Sequence, residues 1–140
     1  MKVLTFVAVV AVSAVLAQTK PNFSGTWVAV SGAKEALGQE IWIKHDATSI
    51  TIGHSGSTEH SQTFKLDGKE QIQANLAHPD EKDTTQARWD GDRVVITVKL
   101  PNGSPHKRIL AMQTDGTMLL EMTAEVGGKA ETFKAVHKKK

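Results

Sequence analysis

The sequence predicts an all-β domain, a single antiparallel up-and-down β-barrel of about eight to ten strands. Apolar residues recur with period two, which places them on one face of a half-buried strand. Turn-forming pairs separate these runs at short, even intervals. No βαβ alternation is present, which disfavours a parallel sheet.

The alternation is clearest over 93–100, where Val94, Ile96, Val98 and Leu100 share one face and Arg93, Val95, Thr97 and Lys99 the other. Met118, Leu120 and Met122 lie together and oppose Leu119, Glu121 and Thr123. Ile41 and Ile43 oppose Glu40, Trp42 and Lys44. Asp67-Gly68, Asp90-Gly91, Asn102-Gly103, Asp115-Gly116 and Gly127-Gly128 punctuate the runs. Such pairs accept the positive φ that a tight hairpin needs. Strands are expected over 24–30, 39–45, 48–54, 58–66, 69–76, 84–90, 93–100, 106–113, 117–125 and 129–137, with one helical turn between Gly32 and Leu37. A meander with connections this short avoids exposed edges by closing on itself.

The first residues have the pattern of a secretory signal. Lys2 precedes an apolar run over 3–12, and small residues lead to Ala17. Residues 1–17 are expected to be removed, leaving the barrel domain over 18–140 in the periplasm or secreted. The apolar run is shorter than the roughly 20 residues a spanning helix needs, so no stable membrane anchor is expected. Removing Lys2 with the leader lowers the net charge from +2 to +1, and much of the remaining excess sits in Lys138, Lys139 and Lys140. A nucleic-acid partner is therefore disfavoured. There is no cysteine, so burial and strand pairing alone must hold the fold.

Chemistry-bearing residues are sparse. The chain has no nucleophile elbow, no His-Glu-x-x-His, no P-loop and no dinucleotide fingerprint, so neither catalytic residues nor a cofactor are expected. His54, Glu59 and His60 lie close in sequence, but their spacing fits no metal motif and no metal site is assigned. Asp80, Glu81 and Asp83 follow Pro79 and read as a solvated connection. Trp27 reads as a core plug that can double as a cavity floor. Trp89 joins Thr85 and Ala87 on an inward face, whereas Trp42 faces outward and marks a contact surface. Met112, Met118 and Met122 suit an adaptable cavity wall. Arg108 shares its face with Leu110 and Met112; turned inward, it needs a partner, either Trp27 to pack across or the anion of a ligand.

The stretch Phe-Ser-Gly-Thr-Trp at 23–27 resembles the Gly-x-Trp opening of lipocalins and of fatty-acid-binding proteins, which implies that Trp27 lies on the first strand at the closed end. The order FSGTW, FKLDGKE, ARWDGDRVVI and QTDGTMLLEM resembles a group of exported bacterial lipocalin-like proteins of unknown function across nearly the whole chain after the leader. That resemblance implies the fold and export, and no activity. Fatty-acid-binding proteins carry a helix–turn–helix lid where this chain has only 31–38, and their C-terminal Arg-x-Tyr has no match in TFKAVHKKK. Ser24, Gly25 and Trp27 also match the opening of periplasmic protease-inhibitor barrels, whose disulfide is missing here. His137 is similar in place to the late histidine ligand of haem-binding barrels, but its lysine neighbours point to a solvated ring.

The leading expectation is binding of a small apolar or amphipathic ligand, in a cavity lined by Trp27, Phe64, Val94, Ile96, Val98, Met112, Met118 and Met122, with Arg108 as polar anchor. The alternative is an interaction protein, such as a periplasmic protease inhibitor, with 18–22 as an arm that contacts the protein partner. A carrier needs roughly 300 Å³ of concave space and an inhibitor none.

Overall fold

The computed structural model describes residues 20–54 and 60–140. The expected leader and Glu59 lie outside them. Ten strands form one antiparallel sheet: β1 (Gly25–Gly32), β2 (Glu40–His45), β3 (Ser49–His54), β4 (Ser61–Lys65), β5 (Gln71–Ala74), β6 (Lys82–Asp90), β7 (Arg93–Lys99), β8 (Pro105–Met112), β9 (Met118–Val126) and β10 (Lys129–Lys139). A one-turn helix, α1 (Lys34–Leu37), follows β1 where the helical turn was expected. No helix among the described residues is long and apolar enough to cross a membrane.

The sheet order is β4-β3-β2-β1-β10-β9-β8-β7-β6-β5. Sequential hairpins account for every neighbour except β1 and β10, whose pairing joins the two ends of the chain. The edges of the sheet are therefore β4 and β5. Two glutamines span the seam between them. Gln73 Nε2 donates to the Thr63 carbonyl at 2.8 Å, and Gln71 Nε2 donates to the Lys65 carbonyl at 3.3 Å. The connection between β4 and β5 is tied to β6 by Gly68 N–H to the Ala87 carbonyl, 2.9 Å.

The inner face is filled. Trp27, Phe64, Ile41, Ile50, Val94, Ile96, Leu110 and Met118 are almost fully buried. Each aliphatic or Phe side chain so buried contributes roughly 1.5–3 kcal/mol. Val95 departs from the simple alternation: it points outward from β7, opposite Arg88 and Ile109, and is still only 3% exposed. Asp83 is not part of a solvated connection as expected. It lies within β6, 2% exposed, and accepts a hydrogen bond from Asn75 Nδ2 at 2.9 Å.

The FSGTW stretch closes one end of the barrel. The indole N–H of Trp27 donates to the Phe23 carbonyl at 2.8 Å, which satisfies the one polar atom of a buried ring. Ser24 Oγ both donates to the His45 carbonyl (3.0 Å) and accepts from the His45 N–H (2.9 Å). Phe23 stacks on His45 and on Trp89, with centroids 5.8 and 6.3 Å apart. Gly25 has φ 138°, and the stem of Lys139 lies where a Cβ would project. That stem carries its ammonium 5.7 Å from the Trp27 ring. Lys139 thus takes the place across Trp27 that was expected as one option for Arg108, because the β1–β10 register sets Lys139 directly opposite Trp27.

His45 must be neutral in this arrangement. Its Nδ1 accepts the Phe23 N–H at 3.2 Å, so the proton sits on Nε2, which is buried without a partner. Burial holds its pKa below 6.5, with Asp46 opposing more weakly. The unfolded ring therefore binds a proton that the folded ring refuses, and stability is lost as pH falls through the histidine range. Thermal unfolding between about pH 7.5 and pH 5 should show a falling Tm, with a shallower fall in His45→Asn; equal slopes would refute the assignment.

Candidate functional site

A partly open cavity of about 70 Å³ lies inside the barrel beneath α1. Ala36 and Leu37 of α1 cover it, Ile41, Leu110 and Leu120 line its apolar depth, and Ile52 and Met122 form its flanks. Two polar side chains reach it, Arg108 and His54. The cavity volume is well under the roughly 300 Å³ or more of a pocket for a drug-sized ligand.

Arg108 is the chemical centre of this cavity. On β8 it stands opposite Ile96 on one side and Met122 on the other. Its inward direction follows from strand alternation with Leu110. Among the described residues it makes no hydrogen bond and no ion pair. Burial pushes its pKa down from the ordinary arginine value. A guanidinium carries five donors and does not lose its proton in proteins, so it keeps its charge and its donors inside this cavity.

Of the other residues expected in the site, only Met122 lines the cavity. Trp27, Phe64, Val94, Ile96, Val98 and Met118 lie within the packed core. Met112 is half-buried against that core. Trp42 lies outward, over Gly53, with the Lys44 ammonium 5.8 Å from its ring.

His54, weighed in the sequence only for metal, is a cavity residue. It ends β3, opposite Ile41, and its ring lies against Gly38 just after α1. The signal was available: Ile50 and Ile52 alternate with inward parity, and His54 continues it. His137 is fully buried rather than solvated, with Nε2 donating to the Gly38 carbonyl at 3.1 Å. It tethers the end of α1 to β10. A second tether, Ala33 N–H to the Lys134 carbonyl (2.9 Å), holds the start. At the opposite end, Lys20, Pro21 and Asn22 of the expected arm lie along a solvent-open cleft beside Trp89, with the Lys20 ammonium 5.0 Å from that ring.

No family model matches the chain, and no curated protein matches it. Solved structures do. A REP1-NXSQ fatty acid transporter is 17% identical with a TM-score of 0.60, covering 84% of this chain and 95% of its own. Human cRBP IV is 20% identical with a TM-score of 0.55, covering 86% and 99%. A mutant of the fluorescent protein UnaG is 17% identical with a TM-score of 0.59, covering 84% and 96%. The fold is that of the calycin barrels. At these identities the likeness speaks to architecture, and the chemistry must come from the residues described above.

Arg108 is half-buried, and a partly desolvated charge with no partner among the described residues weakens the fold that holds it. Arg108→Met is therefore expected to raise stability, by on the order of 1 kcal/mol, in denaturant unfolding followed by tryptophan fluorescence. A loss of that size would show that the guanidinium has a structural partner.

Proposed function

We propose that this barrel binds a small amphipathic molecule with an anionic head group, held by Arg108, and performs no chemistry on it. The observation that carries the reading is a guanidinium with no counter-ion among the described residues, in a cavity whose lining is apolar apart from His54. A structural arginine in such a place would be expected to have a carboxylate beside it. The fold likeness to a fatty acid transporter supports the same class of ligand.

The cavity as it stands admits little more than a head group, so an apolar tail needs the wall to move. The weakest part of that wall is α1, four residues held to β10 by the two tethers already described. Each such hydrogen bond contributes about 1 kcal/mol net. Met122 beside it has three rotatable bonds and re-packs easily. Binding would lift α1 and place the tail along Leu110 and Leu120.

Calorimetry with octane-1-sulfonate and octan-1-ol separates the charge from the chain. The sulfonate should bind at least about tenfold more tightly, the worth of one charge-assisted hydrogen bond, and Arg108→Met should abolish that preference. Equal binding of the alcohol and the sulfonate by the unaltered protein would end this reading.

We also infer that the protein works outside the cytoplasm, on the leader pattern of 1–17. The exported protein should begin at Gln18 when its N-terminus is sequenced. Material that retains Met1 and stays in the cytoplasm would reject export.

A further inference from the structure

A second ionisable side chain lines the cavity that Arg108 enters. His54 lines the same cavity, and a Cβ on Gly38 would lie 3.0 Å from its Nδ1. His54 is exposed overall, and the partial burial of its ring, followed by the charges of Arg108 and His60, holds its pKa below 6.5. Among the described residues the charges that act on it are those of Arg108, which lines the same cavity from β8, and of His60 just before β4, both basic. The cavity residues of α1, β2 and β9 are Ala36, Leu37, Ile41, Leu120 and Met122, none ionisable. Among the described residues, no carboxylate is among the charges that act on it.

This arrangement has opposite consequences with and without an anion. In the free protein, a proton on His54 adds a second cation beside Arg108, so the neutral ring is favoured. An anion on Arg108 reverses the local field and favours the imidazolium. The charged ring then offers a donor to the same head group, a charge-assisted bond stronger than a neutral one.

We propose that His54 is a second head-group anchor, one that takes up a proton as the anion binds, so that pH sets the affinity of the site. This rests on the anion-binding reading above. The sign follows from linkage. Well above the histidine range the ring is neutral with or without ligand, and affinity is flat. As pH falls through that range, the complex holds the proton before the free protein does, and affinity rises by up to tenfold per pH unit. Below the range the free protein is protonated too, and the gain levels off.

Octane-1-sulfonate is a suitable probe because its own charge does not change with pH. Calorimetry at about pH 8 and about pH 5.5 should show roughly tenfold tighter binding in acid. Repeating the measurement in buffers of different ionisation enthalpy should show uptake approaching one proton per ligand. His54→Gln should bind more weakly and with no acid gain, whereas His60→Gln should keep the gain. NMR of the His54 ring in the unaltered protein should show it titrating at higher pH with the probe than without. That readout stands even if His54→Gln fails to fold. Binding without acid gain, or a gain that survives His54→Gln, overturns this inference and leaves the proposed function intact. No binding at either pH overturns both.

Discussion

The Trp27 indole is the contact on which the barrel depends. Its N–H is spent on the carbonyl of Phe23, four residues earlier, so the ring enters the core with no polar cost outstanding. Its face is crossed by Lys139 from the last strand, and its strand pairs with that last strand. One side chain thereby ties the start of β1 to the end of β10. The constraint is severe because no disulfide shares it. Ser24 and Phe23 extend it by fastening the chain before β1 to the end of β2 through His45.

With that end packed around Trp27, the cavity within the core lies on the other side, beneath α1. Filling and emptiness divide along the length of the barrel. Trp27, Phe23, Phe64 and Met118 leave no room, while Ile52, Leu120 and Met122 stand around a void. An arginine stands among those aliphatic side chains with no partner among the described residues. Groups that cost stability and serve no packing role are characteristic of functional sites.

Most of the architecture was legible from local pattern. Alternation and Asp-Gly pairs located all ten strands, because both signals reside within a few consecutive residues. Gly91, with φ 64°, adopts the backbone its hairpin was expected to need. The inward direction of Arg108 was legible for the same reason. Which inward side chains would pack and which would border a void was not, since that depends on how distant strands meet. The position of Lys139 across Trp27 follows from a register between residues at opposite ends of the chain, which no local pattern encodes. His137 was readable in principle: it alternates with Lys138 and shares parity with buried Ala135, but its charged neighbours masked that parity.

The two glutamines at the seam give the ring a property that its ladders lack. A ladder fixes the spacing of two strands at about 4.8 Å for as long as it exists. A glutamine is a flexible spacer with an amide at its tip, and it can extend or retract while keeping hold of the opposite carbonyl. Gln71 and Gln73 therefore act as a buckle on a belt. The girth of the barrel can be let out at one place by slipping these glutamine bonds, about 1 kcal/mol each, with the ladders between the other strands still fastened.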